Sequence, residues 1–290
     1  MPELPEVETI VCDLRQAGLE GRVIRDAHIA WPRTAATANP EIFRDQLCGK
    51  KISSVIRRAK FIVLSLTQGQ VQKNKADLPL SPAWLLVHLR MTGRLDFMAP
   101  EVPRDPYERA RLMLDDGRTL RFKDIRKFGR WYFYENEPPQ FQALGPEPLA
   151  KDFTVAILAT RLKGRKRQIK PLLLDQTVVS GLGNIYVDEA LWEAGIHPLA
   201  EAHRLKKDRL ERLHQAIVLV LQRGVRNSGT TLGKNELNYY SVGKRSGRNQ
   251  DELQVFRKTG EPCPRCSSRI VRLIVGQRSS HVCLKCQRKH

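Results

Sequence analysis

Apolar residues follow two different periods along the chain, one in each half. Near the N-terminus, Val7, Ile10, Val11 and Leu14 recur at helical spacing and predict a buried helix. Behind this helix come runs rich in β-branched and aromatic residues, which are typical of strands. These runs cover residues 22–30, 51–66, 84–89, 119–122 and 130–134. One helix ahead of a mostly extended segment predicts a β-sandwich.

The second half is predicted to be helical. From residue 152 the apolar period changes, and residues 205–221 give the clearest amphipathic pattern. Pro138 and Pro139 begin a linker between the two halves. Residues 228–251 are polar and contain several glycines, so we expect them to form a loop.

Four of the six cysteines lie near the C-terminus in two C-x2-C pairs, with sixteen residues between the pairs. Four thiolates in two such knuckles can hold one tetrahedral zinc ion and leave no open position for water, so the predicted role of zinc is structural. Residues 270–275 and 279–282 are the expected strands between the knuckles, with a turn at Gly276 and Gln277. The predicted zinc ligands are Cys263, Cys266, Cys283 and Cys286.

Charge indicates the class of partner. The formal net charge is +19, and it is uneven, with +4 on residues 1–150 and +15 on residues 151–290. A basic region of this size predicts a polyanion partner, with nucleic acid as the first candidate. No apolar run reaches the roughly 20 residues that span a bilayer. The chain also lacks a charged-then-apolar leader, so we expect a cytoplasmic protein without a membrane partner.

The first residues could carry nucleophilic chemistry. Met1 precedes a small residue and is readily removed, which would leave Pro2 with a secondary amine that can attack an aldehyde-level carbon. Glu3 beside it is a candidate acid or base. The positive end of the following helix disfavours a protonated amine and favours an ionised Glu3. An ordinary N-terminal helix with a frayed leader is the alternative that this segment alone leaves open.

Four motifs together resemble the bacterial formamidopyrimidine-DNA glycosylases, the repair enzymes for 8-oxoguanine. They are Pro-Glu-Leu-Pro-Glu-Val-Glu-Thr at 2–9, Asp-Ile-Arg-Lys-Phe-Gly at 124–129, Leu-Gly-Pro-Glu-Pro-Leu at 144–149 and Gly-Leu-Gly-Asn-Ile-Tyr at 181–186. The resemblance extends over nearly the whole chain. It implies an α+β, multi-domain fold with an N-terminal β-sandwich over 1–137, a helix–two-turn–helix domain with a lesion-capping loop over 138–250, and a zinc finger over 251–290.

The resemblance also implies roles for residues that the pattern alone would place elsewhere. Pro2 and Glu3 become catalytic, Lys60 a phosphate-binding lysine of the catalytic site, and Glu6 a supporting carboxylate. The residues implied to contact DNA are His88, Met91, Arg126, Phe128, Lys170, Asn184 and Arg278. Without the resemblance, Met91 and Phe128 would be interpreted as core residues, Lys60 and Arg278 as solvated charges, and Asn184 as a helix cap.

Base flipping explains why such residues are needed. A base extruded from the duplex leaves a gap in the stack and an unpaired partner base. Met91 and Phe128 can fill the gap as apolar wedges, and by resemblance Arg126 reads the unpaired cytosine. Lys170 would face the lesion, while Asn184 and Arg278 would hold the phosphate there.

Three features depart from the family pattern. Arg90 stands where the family usually has glycine. Residues 68–82 look like an insertion in a sheet loop. Residues 234–251 align with the loop that caps the flipped base but are a few residues longer and differ in sequence, so lesion preference is open.

The resulting prediction is a DNA glycosylase and β,δ-lyase for oxidised purines. It would act as a monomer on double-stranded DNA that contains oxidised bases or abasic sites, with one structural zinc ion. One alternative is an endonuclease VIII-like enzyme for oxidised pyrimidines, although such enzymes typically begin Pro-Glu-Gly-Pro and this chain has Leu4. The other is a zinc-ribbon DNA-binding protein without enzymatic activity.

Overall fold

The computed structural model describes residues 1–68, 82–99, 102–233 and 237–289. The chain forms two compact units. The first contains residues 1–142 and 228–247, and the second contains residues 143–227 and 248–290. The predicted three-domain boundaries remain a prediction. Most of the predicted insertion at 68–82 lies outside the described residues, as do residues 234–236 of the predicted capping loop.

The first unit consists mainly of strands behind one long helix. Its helices are α1 (Leu4–Gln16), α2 (Pro40–Leu47) and α3 (Pro139–Ala143), the last of which ends one residue beyond the unit. Its strands are β1 (Ile24–Ile29), β2 (Lys50–Arg58), β3 (Phe61–Gln68), β4 (Ala83–His88), β5 (Arg94–Met98), β6 (Glu108–Leu114), β7 (Thr119–Lys123) and β8 (Arg130–Tyr134).

Two four-stranded antiparallel sheets are formed by these strands. Their strand orders are β1-β6-β7-β5 and β2-β3-β4-β8. Both sheets contribute side chains to one hydrophobic core, into which α1 inserts Val7, Ile10, Val11 and Leu14. These four side chains are at most 1% exposed, so the predicted helical stripe is the buried face of α1. The α+β fold with an N-terminal layered sheet domain is therefore confirmed.

One predicted strand is in fact two. The predicted extended run over residues 51–66 is divided at Ala59, which adopts a left-handed φ of 52° where the chain reverses. Arg58 pairs with Phe61 across this two-residue turn, so β2 and β3 form a tight hairpin. The hairpin places Lys60 in the turn, just before β3, where it is 6% exposed.

The second unit is helical and ends in a small hairpin. Its helices are α4 (Val155–Leu162), α5 (Ile169–Leu174), α6 (Asn184–Glu193) and α7 (Lys207–Arg226), and its strands are β9 (Val271–Val275) and β10 (Arg278–Val282). The turn between the strands has positive φ at both Gly276 (55°) and Gln277 (61°), as a two-residue hairpin of this handedness requires. The predicted hairpin and its turn are confirmed.

The start of α6 corrects one prediction. Without the family resemblance, Asn184 would be interpreted as the cap of this helix, but Gly183 is the N-cap residue and Asn184 is the first helical residue. The Asn184 side chain does not turn back to the helix because its Nδ2 donates to the carbonyl oxygen of Ser279 in β10, at 3.0 Å.

None of the helices among the described residues is long and apolar enough to cross a membrane.

Candidate functional site

The N-terminal site is built around the first turn of α1. Glu3 is the N-cap residue, and Glu3 and Glu6 form a reciprocal capping box, in which the Glu3 N–H donates to Glu6 Oε2 at 2.8 Å. Pro5 occupies the first turn, where its missing N–H has no consequence. Pro2 is buried, and Glu3 and Glu6 are only 2% and 1% exposed. The residue next to the N-terminus therefore lies in a desolvated, acidic setting at the start of a helix.

Charged neighbours of both signs influence the N-terminal amine. Burial is the largest effect on the pKa of the Met1 amine and lowers it from the ordinary value of 8.0. Glu3 and Glu6 oppose this shift, whereas Lys60 and Arg126 add to it. The net direction favours the neutral amine, which is the nucleophilic form. The structure thus brings Pro2, Glu3, Glu6 and Lys60 together, as the sequence motif implied.

Both carboxylate oxygens of Glu6 accept backbone N–H groups. Its Oε2 accepts from Glu3, and its Oε1 accepts from the N–H of Thr230 at 2.8 Å. A carboxylate that accepts two backbone N–H groups is stabilised in its ionised form. Glu6 therefore supports the site from α1, while the Glu3 side chain accepts the backbone N–H of Glu6 in return.

A turn after β4 carries the predicted wedge residue Met91. His88, the last residue of β4, is buried, and its Nδ1 accepts the N–H of Arg90 at 3.0 Å. Burial is the main cause that lowers the pKa of His88 to about 3, with Arg90 and Lys60 contributing, so its ring is neutral near pH 7. Arg90 itself has a left-handed φ of 55°. His88 thus fixes the turn that presents Met91, which is half-buried.

The second predicted wedge segment is arranged by Asp124. This buried carboxylate accepts the N–H of Arg126 at 3.2 Å and the N–H of Gly129 at 2.7 Å, and it also accepts the hydroxyl of Thr92. Because Thr92 directly follows Met91, one side chain connects both wedge segments. The sequence motif contained Asp124, but it did not indicate this connecting role.

Phe128 is an exposed aromatic residue. Its side chain is 47% exposed, and the guanidinium of Arg126 lies 4.8 Å from the centre of its ring. The core position that periodicity alone would assign to Phe128 is therefore wrong. An exposed apolar ring beside an exposed cation is the combination that a base-flipping wedge requires.

The loop over residues 228–247 belongs to the first unit and is held by α1. Asp13 near the end of α1 accepts hydrogen bonds from Ser241 and Arg245. Tyr239 is partly buried, burial of its hydroxyl raises its pKa, and this hydroxyl donates to the carbonyl of Ser228 at 3.2 Å. Short 3₁₀ turns interrupt the predicted loop at Val242–Lys244 and, in the second unit, at Asn249–Glu252. Asp13 gave no signal in the sequence, since its partners lie more than 200 residues away.

In the second unit, Arg278 and Asn184 flank one carbonyl group. Arg278 begins β10 and is exposed, and Asn184 donates to the carbonyl of the next residue, Ser279. Lys170 donates to the same carbonyl at 2.8 Å and to Asp188 Oδ1 at 2.6 Å. Lys170 is 0% exposed. The predicted direct contact of Lys170 with DNA is therefore corrected, because its ammonium group is used for an internal ion pair.

The four C-terminal cysteines form the predicted zinc centre. Their Sγ atoms all lie within 4.8 Å of one another, a spacing that suits four thiolates around one ion. The indole Nε1 of Trp192 donates to Cys263 Sγ at 3.4 Å, an outer contact of the kind that orients metal ligands. Trp192, Val255 and Ile270 pack with the cysteines in a small hydrophobic cluster. The donor set and its surroundings fit a structural zinc ion.

Three family models match successive parts of the chain. The N-terminal domain model of formamidopyrimidine-DNA glycosylase matches residues 1–131, its helix–two-turn–helix domain model matches 144–235, and a zinc-finger model found in these enzymes and in isoleucyl-tRNA synthetases matches 260–288. A formamidopyrimidine-DNA glycosylase of Protochlamydia amoebophila is 46% identical over 289 residues, with 100% of each chain covered. One of Herpetosiphon aurantiacus is 42% identical over 289 residues, covering 99% of this chain and 100% of the relative.

Solved structures of the Lactococcus lactis enzyme are similar to the whole chain. A variant in complex with Fapy-dG-containing DNA superposes with a TM-score of 0.88 at 34% identity, covering 99% of this chain and 100% of that one. A complex with DNA containing an abasic site gives a TM-score of 0.87 at 33% identity, with the same coverage. Three matching domain models in the expected order, together with full-length relatives, establish that the chain belongs to the formamidopyrimidine-DNA glycosylase family.

Proposed function

We infer that the protein is a bifunctional DNA glycosylase and AP lyase that removes oxidised purines, 8-oxoguanine and formamidopyrimidines, from duplex DNA. The observation that carries this inference is the desolvated N-terminus, where burial lowers the pKa of the terminal amine beside Glu3, Glu6 and Lys60. Membership of the glycosylase family favours this activity over the endonuclease VIII-like alternative and over a protein that only binds DNA.

The chemistry follows from a free amine on Pro2. After removal of Met1, the Pro2 nitrogen attacks C1′ of the damaged nucleoside, the C1′–base bond breaks and the base leaves with a proton. Glu3 assists by proton transfer to the opening sugar ring. The resulting iminium acidifies the C2′ proton, whose loss expels the 3′ phosphate, and a second elimination expels the 5′ phosphate. The ammonium of Lys60 stabilises phosphate charge near the amine.

The flipped base is replaced in the stack by the wedge residues. Met91 and Phe128 would fill the gap, and Arg126 would donate hydrogen bonds to the unpaired cytosine. The family membership and the exposure of Phe128 and Arg126 support this assignment. His88 and Asp124 would hold the two wedge segments in place, as their hydrogen bonds to the turn backbones suggest.

The second unit would supply the main phosphate contacts. Arg278 is exposed at the hairpin turn, and the Asn184 amide is held beside it through Ser279. An exposed guanidinium and an amide N–H are suitable donors to phosphate oxygens. The net charge of +15 over residues 151–290 supports a strong dependence of binding on salt. We further propose that the protein acts as a cytoplasmic monomer, which light scattering of the free protein would test.

A cleavage assay tests the proposed function and its closest alternative together. Duplexes carrying 8-oxoguanine opposite cytosine, or an oxidised pyrimidine opposite guanine, are incubated with the protein at equal concentration. We expect preferential cleavage at 8-oxoguanine, with a phosphate on both ends of the resulting gap. Preferential cleavage at the pyrimidine would instead indicate endonuclease VIII-like specificity, and cleavage of neither would contradict enzymatic activity.

The capping loop is the proposed determinant of lesion preference. The part of this loop that the structure describes is anchored to α1, because Asp13 accepts hydrogen bonds from Ser241 and Arg245. The sequence of residues 234–251 also departs from the pattern of the family. Replacing residues 234–251 with the corresponding loop of a relative should change the ratio of activities on 8-oxoguanine and formamidopyrimidines. An unchanged ratio in a folded, active chimera would refute this role.

A further inference from the structure

A buried hydrogen-bond network in the second unit connects α5, α6 and β10. Its centre is Asp188 in α6, which is 2% exposed. Its Oδ1 accepts from Lys170 of α5 at 2.6 Å, and its Oδ2 accepts from both the backbone N–H and the ring Nδ1 of His281 in β10, each at 2.9 Å. Both oxygens of one carboxylate are therefore divided between two different elements.

The same network determines where the Ser279 carbonyl lies. This oxygen accepts from Lys170 at 2.8 Å and from Asn184 Nδ2 at 3.0 Å. Ser279 lies in β10 between Arg278, the exposed first residue of the strand, and His281, which bonds to Asp188. The position of β10 relative to α6 therefore depends on Asp188.

The orientation of the Asn184 amide also follows from this carbonyl. Because a carbonyl oxygen can only accept, the amide must turn its Nδ2 towards Ser279. Its Oδ1 is then buried, and the described part of the chain offers it no hydrogen-bond partner. One N–H of the amide is used by Ser279, and the second remains available to a phosphate oxygen. The amide is thus directed by a single bond to the residue next to Arg278.

We propose that Asp188 is a positioning residue for phosphate recognition. Through Lys170 and His281 it fixes β10 against α6, so that Arg278 and Asn184 present their donors to one phosphate together. This inference rests on the proposed phosphate-binding roles of Arg278 and Asn184. It also explains why a lysine is fully buried here: Lys170 acts through Asp188 and Ser279 without touching DNA.

A double-mutant cycle on DNA binding tests the proposal. Affinity of the full-length, zinc-loaded protein for a duplex with a reduced abasic site is measured by fluorescence anisotropy at several salt concentrations. The variants are Arg278→Ala, Asp188→Asn and their combination, with Lys285→Ala, an exposed lysine of the same finger, as a charge control. Zinc content and melting temperature are recorded for each.

We expect the losses of DNA affinity in the two single variants to be non-additive in the double variant. Arg278→Ala should lower the slope of log affinity against log salt by about 0.9, as for one lost phosphate contact. Asp188→Asn should lower the slope as well, although it removes no positive charge, and the double variant should bind no more than about twofold more weakly than the weaker single variant. Losses that multiply, or unchanged binding by Asp188→Asn, would overturn the inference. Unchanged binding by Arg278→Ala would instead refute its proposed phosphate contact.

His281 provides a second pair of variants in case Asp188→Asn does not fold. The His281→Asn variant keeps an N–H donor near the position of Nδ1, whereas the His281→Leu variant removes this donor. We expect His281→Leu to weaken DNA binding and lower the salt slope, and His281→Asn to restore both. If His281→Leu lowers only the melting temperature and the folded protein binds DNA normally, the network stabilises the fold without positioning Arg278, and the proposal is wrong.

Discussion

Glu6 accepts the backbone N–H of Thr230 across 224 residues of sequence, at 2.8 Å. Its other carboxylate oxygen accepts the N–H of Glu3 at the start of the same helix. One buried side chain therefore attaches the loop over residues 228–247 to the residue next to Pro2. Each of these two N–H groups needs an acceptor. A carboxylate offers two acceptor oxygens and no donor, whereas an amide side chain offers one oxygen and one NH2 group.

Glu6→Gln should therefore destabilise the N-terminal unit. The amide places an NH2 group against one of the two backbone N–H groups and leaves that group buried without a partner, at a cost of about 1–3 kcal/mol. Chemical denaturation measures this loss in the free energy of unfolding. Glu41→Gln, an exposed carboxylate in the first turn of α2, is the control and should change stability by less than about 0.5 kcal/mol. Equal effects of the two substitutions would contradict the assigned contacts.

Gly229 should tolerate no side chain, because of its contacts as well as its backbone angle. Its φ is 80°, and a Cβ there would lie 2.9 Å from Glu6 Cγ and 2.9 Å from Tyr239 Cε1. Gly243 has a similar φ of 73° but open space around it. Alanine at 243 should cost only the backbone strain of about 1–2 kcal/mol. Alanine at 229 should cost clearly more and slow base excision, and similar losses at the two sites would argue against close packing of the loop on Glu6.

The pH dependence of the reaction should reflect the lowered pKa of the N-terminal amine. Burial, Lys60 and Arg126 lower the pKa of the terminal amine below 8.0, so the neutral form is reached at a lower pH than for an exposed amine. The rate of covalent trapping should therefore rise with pH, and its midpoint should lie at a lower pH than that of an exposed N-terminal proline amine. Pro2 becomes the N-terminus when Met1 is removed and is itself buried, so we expect its amine pKa to be lowered in the same way.

Substitutions near the amine should move this midpoint in opposite directions. Arg126→Ala removes a positive neighbour and should move it to higher pH, whereas Glu3→Gln removes a negative neighbour and should move it lower. The exposed Arg33→Ala is the control and should leave it in place. A midpoint equal to that of an exposed proline amine, unmoved by both substitutions, would exclude the desolvated amine.

Removal of zinc should affect the second unit alone. The indole of Trp192 donates to Cys263 and lies under the guanidinium of Arg265, 3.9 Å from the ring centre, so its fluorescence should report the loss of the metal. We expect chelation to change this signal and abolish DNA binding, while limited proteolysis finds the N-terminal core intact. The Trp192→Phe variant should lose this change in fluorescence, which would assign the change to Trp192. Normal DNA binding by the chelated protein would contradict a structural role for zinc in DNA recognition.

Local patterns were sufficient to predict much of the fold. The stripe on α1, the β9–β10 hairpin and the cysteine pairs were visible because each depends on residues close together in sequence. The hairpin at Ala59 was missed because an alanine rarely adopts a positive φ, and nothing in its neighbours marked a turn. The helix α2 was missed although Asn39 and Pro40 form an ordinary helix start, with Asn39 Oδ1 accepting the N–H of Ile42.

The residues that arrange the site could not be predicted in the same way. Asp13, Asp124 and Asp188 act through partners that are distant in sequence, and a single acidic residue has no pattern of its own. Lys170 was misassigned for the same reason. Its motif indicated a cation near DNA, but only the fold shows that Asp188 and Ser279 already use its ammonium group.

The most direct test locates the covalent bond to DNA. Protein whose loss of Met1 has been verified by mass is incubated with an 8-oxoguanine:cytosine duplex and borohydride, and the adduct is mapped by peptide mass spectrometry. We expect one adduct, on the Pro2 nitrogen, which is lost when the N-terminus is blocked and in Pro2→Gly. An adduct on Lys60, or trapping that persists with a blocked N-terminus, would contradict it.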